Sequence, residues 1–338
     1  MPRTGTFDNF YFDPEVFGNY VDQQDYLKTA IIASGVMIED PTLSGLVTKG
    51  NVGTVPFYNP VDADLDKPLN YDGKTANTPT GLEGGKQSFM VIERMKAWTD
   101  KELTRELTGA NPLQHMGDRT VTYWKQVWQR KLVEAMEMAV GCTGMENHVT
   151  DLSTSSGSIA EKNKINETSA LDVCQKACGD MADRFSLVIM HSVIFTAFKK
   201  MQLIDYVKYS DPRGLVPEIT LPTLDGKIVV VDDRGTVDAT SHPGFPIYKT
   251  FFAGRGSVLG GSKTILEPYN YAFDPEANGG VYKLYTKQSR IIHPNGFSFK
   301  FNNVVEESPT DAEWTTQENW ELKFNEKNIP LAVIKTNG

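Results

Sequence analysis

Three aspartates at alternate positions are the first residues in this sequence whose spacing suggests chemistry. Asp62, Asp64 and Asp66 resemble the opening of a calcium-binding loop, where alternate carboxylates supply oxygen ligands. However, Lys67 stands where that loop needs a turn glycine, and Gly73 stands where it needs a bidentate glutamate. The pattern therefore disfavours a metal site, and we expect none here.

The glycine-rich stretch GRGSVLGGSKT, which begins at Gly254, invites comparison with a phosphate-binding loop. In that motif a lysine directly follows the second glycine. Counted from Gly256, this position is Ser262, and Lys263 comes one residue too late. We interpret the stretch as a glycine-rich turn.

Asp232 and Asp233 end a predicted strand, where catalytic carboxylates often lie. No histidine, cysteine or second acidic pair occurs at a spacing that would link it to them, so capping of the next turn is the expected role.

Nucleophiles and metal ligands are sparse. The three cysteines are too few for a disulfide scaffold and lack zinc-site spacing, so buried thiols in a reducing compartment are expected, although Cys174 and Cys178 share a helix face. Hydrolase, zinc-protease and dinucleotide motifs do not occur. We expect no catalysis and no cofactor, with an enzyme lacking a recognisable motif as a distant alternative. The five histidines are scattered: His115, His148, His191, His242 and His293.

Composition narrows the class further. The chain has 338 residues, 40% of them hydrophobic, which is typical of one large globular domain or two. The net charge of −9 argues against a protein that reads nucleic-acid sequence, because such proteins present a basic face. We find neither an apolar run of signal-peptide length nor one that approaches a membrane span, so a soluble chain made inside a cell is expected.

The element that organises the rest is a long helix predicted over 112–139. Asn111 is a capping residue type, Pro112 suits the first helical position, and Gly141 provides the stop. Apolar residues recur at intervals of three and four, including Trp124 and Trp128. At about 1.5 Å per residue the rod would be roughly 42 Å long, which suits a broad, flat molecule.

Two segments before this helix need contacts that the chain itself does not obviously offer. The first 20 residues are rich in Phe and Tyr without a regular period, which indicates an arm that packs against another surface; a short helix, ended by Gly35, is predicted after Asp22. Strands at 54–58 and 88–92 form a hairpin with a very long tip. Because long structureless loops are uncommon in compact domains unless functional, the tip is predicted to reach a neighbouring subunit; the alternatives are a solvated tip and an arm that fills a groove on its own subunit.

Further elements follow from the same signals. A capping box at Thr99–Glu102 predicts a helix from Asp100 to Thr108, ended by Gly109. Helices are also predicted at 167–178 and, as an apolar buried helix with His191 inside it as a core residue, at 181–203. From Leu215 onward the signal is strand and turn, with a turn at Asp225–Gly226. The expected fold class is α+β.

The predicted elements follow one another as an aromatic arm, a long-tipped hairpin, a short capped helix, the long helix, a mixed α/β region and a final set of strands. In this order the sequence resembles the tailed-bacteriophage major capsid (coat) protein family. The strings that carry the resemblance are MKAWTDKELTRELTGANPL, VTYWKQVWQRKLVEAM, CGDMADRFSLVIMHSVIFTAFKKMQLI, LDGKIVVVDD, YKTFFAGRGSV, HPNGFSF and SPTDAEWTTQENW. No single string is decisive, but their order is, and they cover the chain from Phe12 to Asn337.

The resemblance implies a shell-forming subunit with four parts. They are an N-terminal arm (1–46), an extended hairpin loop (47–92), a peripheral domain (93–141 and 281–338) with the long helix as its spine, and an axial domain (142–280). Predicted inter-subunit contacts are Phe7, Phe10, Tyr11, Phe12, Phe17, Asp62, Asp64, Asp66, Tyr71 and Lys74; the predicted structural spine is Pro112, Tyr123, Trp124 and Trp128.

The implied partners are further copies of the chain, arranged as hexamers and pentamers in an icosahedral head that is assembled in the bacterial cytoplasm. A separate scaffolding protein is expected, because no large scaffolding segment precedes the arm, and a portal is expected with it. Packaged DNA would lie close by without tight binding, and no membrane is involved. An encapsulin-like bacterial compartment shell is the alternative with the same fold.

Overall fold

The computed structural model describes most of the chain from residue 35 onward, together with two short segments of the N-terminal region. The described residues are 5–7, 10–12, 35–47, 50–59, 61, 67–72, 74–76, 79, 81–102, 112–209, 219–239, 241–277 and 279–338. The predicted helix after Asp22, the cap Asn111, and most of the predicted helix from Asp100 to Thr108 therefore lie outside the described residues.

Strands outnumber helices among these residues. The helices are α1 (Pro41–Leu46), α2 (Pro112–Gly141), α3 (Ser169–Cys178), α4 (Ser192–Lys200) and α5 (Asp311–Thr315). The strands are β1 (Gly5–Phe7), β2 (Phe10–Phe12), β3 (Met37–Glu39), β4 (Val52–Tyr58), β5 (Gly84–Met90), β6 (Ile92–Lys101), β7 (Val149–Asp151), β8 (Phe185–Met190), β9 (Ile204–Tyr209), β10 (Ile219–Leu224), β11 (Lys227–Val231), β12 (Val237–Asp238), β13 (Ile247–Gly254), β14 (Val258–Gly261), β15 (Tyr269–Asp274), β16 (Val281–Pro294), β17 (Phe297–Phe299), β18 (Trp320–Leu322) and β19 (Leu331–Thr336).

Two larger sheets organise the described chain. An eight-stranded sheet has the order β7-β19-β13-β8-β11-β10-β9, with β12 paired to β13. A five-stranded sheet has the order β15-β16-β14-β3, with β6 paired to β16. The mixture of sheets and separate helices agrees with the predicted α+β class.

Helix α2 runs through the centre of the core. It has 30 residues and begins at Pro112, so the predicted start is correct and the predicted end is two residues early. Its buried side chains, among them Trp124, Leu132 and Met136, form one hydrophobic cluster with residues from both larger sheets, such as Phe251 and Ile292. One helix thus supplies a common core for the two sheets. Helices α3 and α4 contribute to a second cluster that includes the opposite face of the eight-stranded sheet.

The helix predicted at 181–203 is wrong. A 3₁₀ turn at Gly179–Arg184 leads into strand β8, and only Ser192–Lys200 is α-helical. β8 pairs in parallel with β11 and antiparallel with β13, so it is an inner strand of the sheet. Both of its faces are buried, because Leu187 and Ile189 belong to one hydrophobic cluster and Val188 and Met190 belong to the other. A continuous apolar run fits such a buried strand as well as a buried helix, which is why periodicity misled the prediction.

The helix start predicted from the capping box at Thr99 is also wrong. β6 continues to Lys101, and its residues Thr99, Asp100 and Lys101 pair with Lys283, Tyr282 and Val281 of β16. Helical backbone begins only at Glu102. The ladder to the 14-residue strand β16 therefore extends through the residues that carry the local capping signal.

Most other predicted elements are present. The Asp225–Gly226 turn joins β10 to β11, with φ values of 50° and 74° that suit a two-residue hairpin. The predicted helix at 167–178 is observed from Ser169 to Cys178 and ends at Gly179, which has φ 58°. The glycine-rich stretch forms the turn between β13 and β14 and also β14 itself.

Sheet membership crosses the predicted segment boundary in two places. β19, assigned from sequence to the peripheral segment, lies in the eight-stranded sheet between β7 and β13. β14 and β15, assigned to the axial segment, both pair with β16 in the five-stranded sheet. The C-terminal strand thus returns to the sheet that contains β8 and β11, whereas 258–274 joins the sheet beside the long helix.

Candidate interaction surface

The extended hairpin formed by β4 and β5 is the first candidate interaction surface. The two strands pair antiparallel from Val52 opposite Met90 to Tyr58 opposite Gly84, and residues 59–83 form the tip between them. They make a two-stranded sheet of their own, and the described residues form no ladder from it to either larger sheet. The hairpin predicted from the sequence is thus present. Its first strand begins two residues earlier than predicted, and its second strand lies at 84–90 and not at 88–92, because Ile92 already belongs to β6.

Two aromatic–glycine pairs stiffen this hairpin. Phe89 lies opposite Gly53, and a Cβ on Gly53 would come within 2.2 Å of the Phe89 ring. Phe57 lies opposite Gly85, where a Cβ would come within 2.5 Å of the Phe57 ring. Each ring therefore covers a glycine across the ladder, and no larger residue fits at either position without a shift.

Only the root of the hairpin is embedded. Gln87, Ser88 and Phe89 are buried, and the Ser88 amide donates to Ser298 Oγ at 3.1 Å. Towards the tip the described side chains become exposed, and Tyr71 is fully so. Leaving apolar surface in water is unfavourable, so a loop with this composition would gain from a partner surface.

The tip residues predicted as contacts are only partly described. Tyr71 and Lys74 are exposed, whereas Asp62, Asp64 and Asp66 lie outside the described residues. Neighbouring Asp72 closes a local turn by accepting hydrogen bonds from the Lys74 and Thr75 amides at 2.8 and 2.7 Å. The Thr75 and Lys74 amides lower the pKa of the Asp72 carboxyl, which keeps it ionised.

The N-terminal arm has more local structure than its sequence indicates. β1 and β2 form a small hairpin in which Phe7 pairs with Phe10 and Thr6 pairs with Tyr11. These two strands were not predicted, because strands of three residues are too short to show a period in the sequence. Phe17 lies outside the described residues.

Three of the four predicted spine residues lie where α2 meets the five-stranded sheet, and the fourth, Pro112, is the first residue of the helix. Trp124 Nε1 donates to Thr286 Oγ1 at 3.1 Å, and Trp128 Nε1 donates to Gln288 Oε1 at 2.6 Å. The two indole rings stack with centroids 6.1 Å apart, while the partly exposed Tyr123 packs edge-on against Trp124. The tryptophans therefore fix α2 against β16 by both packing and hydrogen bonds.

A groove beside this junction was not predicted. It lies between β6, α2 and α5, and its volume is about 430 Å³. Its base is an ion-pair cluster in which Asp311 Oδ1 accepts from Arg94 Nη2 at 2.6 Å and lies 3.1 Å from Lys131 Nζ. Glu134 pairs with Lys131 and with exposed Arg130 at 2.6 and 3.0 Å. Three cations thus face two carboxylates.

Charge-assisted hydrogen bonds hold this cluster together and determine the pKa of Asp311. Burial by itself would raise the pKa of Asp311, but hydrogen bonds from Arg94 and Lys131 outweigh it and leave that pKa lowered. Lys131 is almost fully buried, and its ammonium lies 5.7 Å from the centre of the Trp314 ring. Since Arg94 and Asp311 are 217 positions apart, no local sequence signal could have indicated this contact.

The acidic and histidine side chains considered as catalytic candidates cap turns and helix ends. Asp232 Oδ1 accepts from the Arg234 amide at 2.9 Å, as predicted for a turn cap. Asp233 Oδ1 instead accepts from the Ser192 amide at 2.8 Å, which caps α4 and lowers the pKa of Asp233. His191 is the N-cap residue of α4 and not a core helical residue, because Val193 donates to its Nδ1 at 3.2 Å.

The sulfur atoms are likewise unsuited to chemistry. Cys142, Cys174 and Cys178 are free and buried, and burial raises the pKa of each thiol to about 11. Within the described part of the chain, no three His, Cys, Asp or Glu side chains come together as a metal site. Among the described helices, none combines the length and apolar character needed to cross a membrane.

Comparison with known proteins links these features to a family. No protein-family model matches the chain. The major capsid protein of Bacillus phage SPP1 is 26% identical over 325 residues, which cover 95% of each protein. The alignment therefore includes the hairpin, the long helix and both sheets together.

Solved structures give the same result for the fold. A capsid chain of Ralstonia phage GP4 superimposes with a TM-score of 0.56 at 11% identity, over 90% of this chain and 87% of that one. A cyanophage Pam1 capsid chain gives 0.50 at 10% identity, over 89% of both chains. The predicted resemblance to the tailed-bacteriophage major capsid protein family is therefore confirmed, by sequence along 95% of the chain and by fold along 90% of it.

Proposed function

We propose that this protein is the major coat subunit of a tailed-phage head, a structural protein that assembles with copies of itself into a shell around the viral DNA. The observation that carries the proposal is the relationship to a phage major capsid protein along 95% of both chains. Because that relative is a phage coat protein, it also favours a phage head over an encapsulin-like compartment, which would share the fold.

The finer organisation is part of the same proposal. Copies form hexamers and pentamers of an icosahedral head, with a separate scaffolding protein and a portal as partners, and assembly takes place in the bacterial cytoplasm. The peripheral part contains α2 and the five-stranded sheet, and the axial part contains the eight-stranded sheet. A net charge of −9 suits a container that holds DNA without gripping it, since tight phosphate contacts need Lys and Arg.

The hairpin tip is the proposed inter-subunit element. Ordering a long loop costs conformational entropy, and contact with a second subunit offsets that cost. Exposed Tyr71 and Lys74 supply apolar and charged contacts, and Asp62, Asp64 and Asp66 make the start of the tip acidic. The arm residues Phe7, Phe10, Tyr11, Phe12 and Phe17 are proposed as further contacts between copies.

The groove above Asp311 is the proposed receiving surface for the acidic tip. Its excess of cations over carboxylates complements the tip, and exposed Arg130 is the cation best placed to bind an incoming acid. Arg130→Glu should reduce shell assembly, and combining it with Asp64→Lys should restore part of it. A double variant no better than the worse single variant would argue against this pairing.

Deletion of the tip tests the main proposal. Residues 62–82 are replaced by a two-glycine turn, which leaves β4 and β5 intact. We expect a folded subunit, checked by circular dichroism and thermal unfolding, that fails to form shells in negative-stain electron microscopy with scaffolding protein present. Normal shells from the deleted chain would contradict the role of the tip.

The intact protein in the same experiment tests the function itself. Closed shells or capsomer rings are expected from the unmodified chain. A persistent monomer that turns over a small molecule would overturn the structural assignment. Shells that carry an enzyme cargo and no DNA would support the encapsulin-like alternative instead.

A further inference from the structure

A buried histidine joins the hairpin root to the body of the molecule. His293, on β16, is 2% exposed, and its Nε2 lies 3.3 Å from Gln87 Oε1 on β5. The same Gln87 oxygen accepts a hydrogen bond from the Gly296 amide at 3.1 Å. We call Gln87, His293 and Gly296 the hairpin anchor.

The contacts of the anchor define which form of the imidazole fits. Gln87 Oε1 faces both His293 Nε2 and the Gly296 amide. Because a backbone N–H can only donate, the Gln87 atom at this position must be the oxygen, and it accepts from both groups. Nε2 of His293 therefore carries the proton, and Nδ1 is left as the unprotonated nitrogen. Among the described residues Nδ1 has no partner in hydrogen-bond geometry. A second proton on this ring would therefore lack a well-placed acceptor.

The described surroundings of this ring are mainly apolar. Phe89 and Trp320 have ring centres 6.0 and 5.9 Å away. The charged residues on the strands that pack here are exposed Lys86 on β5 and exposed Glu321 on β18, which pairs with Lys323. β16 itself carries exposed Lys287, Lys283, which pairs with Asp274, and Arg290, which pairs with Glu39. β14 and β17 carry no ionisable side chain.

Burial accordingly dominates the titration of His293. It lowers the pKa to about 4, and the approach of the Phe297 backbone only partly offsets it. Protonation in place would leave an unpaired charge in an apolar pocket, which is one of the costliest arrangements in a protein interior. Some element that covers the ring must separate from it before the proton can be hydrated.

The hairpin is the covering element that can move most easily. His293 itself pairs with Leu259 inside the five-stranded sheet, so its own strand is held by a backbone ladder. β5, by contrast, forms a ladder with β4 alone among the strands that the structure describes. Described contacts that hold the hairpin to the body include the anchor, the Ser88–Ser298 bond and the packing of Phe89 and Met90. At the start of the hairpin Asn51 donates to the Glu307 carbonyl at 2.9 Å, and further out the Phe57 ring packs against Phe324. These are side-chain contacts and not a strand ladder. The hairpin can therefore swing away without breaking a sheet.

We propose that the hairpin anchor is an acid-sensitive switch: the charge on a protonated His293 is hydrated only when the root of the extended hairpin separates from the body, and this separation breaks the bond to Gln87 while the remaining fold persists. Any consequence for shell assembly rests on the proposed function, whereas the switch itself is a property of the single subunit. It is therefore tested on the unassembled full-length protein.

Hydrogen exchange followed by mass spectrometry measures the switch directly. Exchange at 84–90 is compared with exchange at the central strand 185–190 between pH 6.5 and pH 4, after correction for intrinsic rates. We expect opening at 84–90 to increase on the order of 10- to 100-fold, with 185–190 unchanged. Equal loss of protection in both strands, or unchanged protection of the root, would overturn the proposal.

Two variants sharpen the test. Gln87→Glu gives the protonated ring a carboxylate partner and keeps the acceptor for Gly296, so the root should remain protected at pH 4. His148→Gln is the matched control, because His148 is also buried but bonds to the Leu331 carbonyl in the other sheet; the root should open with acid as in the unmodified protein. Loss of the response in the control, or an unchanged response in Gln87→Glu, would contradict the assignment to His293.

Discussion

Trp128 donates a hydrogen bond from Nε1 to Oε1 of Gln288 at 2.6 Å, and this bond joins the long helix to the longest strand. One turn earlier on α2, Trp124 makes the equivalent contact with Thr286 at 3.1 Å. The Trp124–Thr286 and Trp128–Gln288 bonds can form together at one position of the helix along the strand. The two indoles therefore fix that position. The helix and the five-stranded sheet behave as one unit for this reason.

Removing one of these indoles should destabilise the whole subunit. Trp124 is 1% exposed, so Trp124→Ala leaves a large cavity and a Thr286 hydroxyl without its donor. We expect a loss of about 3–5 kcal/mol in the free energy of unfolding, measured by urea denaturation. Gln126→Ala, on the exposed face of the same helix, is the control and should change stability by no more than about 0.5 kcal/mol. Similar values for the two variants would contradict the structural role of Trp124.

Two glycines should respond oppositely to the same substitution. Gly226 has φ 74° in the β10–β11 turn, so Gly226→Ala should cost about 1–2 kcal/mol. Gly45 lies in helix α1, and a Cβ there meets no described atom within 4 Å, so Gly45→Ala should be neutral or stabilise by up to about 1 kcal/mol. Thermal unfolding of both variants checks the signs. A destabilised Gly45→Ala would show that helix α1 is under a constraint not evident from its backbone.

The contribution of Asp311 to stability should depend on pH. Its folded-state pKa lies below the ordinary value of 3.8, so its stabilising effect is present above that value and is lost as pH falls through the folded pKa. Asp311→Asn should therefore lower the urea midpoint at pH 7, with the difference from the unmodified protein narrowing below about pH 4. Glu318→Gln, an exposed change of the same charge, should have little effect at either pH. A pH-independent difference for Asp311→Asn would indicate lost packing and not a lost ion pair.

The three thiols should be inert in the folded protein. Cys142, Cys174 and Cys178 are buried and their pKa values are raised to about 11, so little reactive thiolate exists at pH 8. Labelling with a thiol-specific chromophore should be slow in the native state and should reach three groups per chain after denaturation. Rapid native labelling of any one cysteine would show that its surroundings open readily.

Features that depend on a few neighbouring residues were predictable from the sequence. Pro112 and Gly141 determine where the long helix begins and ends, since proline fits the first turn and glycine favours its end. Asp225 and Gly226 determine a tight turn because both tolerate positive φ. The aspartate-rich tip and the negative composition likewise belong to the sequence alone, and so does the order of parts that indicated the family.

Features that depend on distant partners were decided only by tertiary structure. The apolar run after Met181 became strand β8 because β11 and β13 flank it, and Thr99 remained in a strand because β16 extends beside it. The Arg94–Asp311 pair and the hairpin anchor join residues more than 200 positions apart. Such contacts leave no local pattern, because burial and pairing energies are set by whichever segments meet in the folded chain.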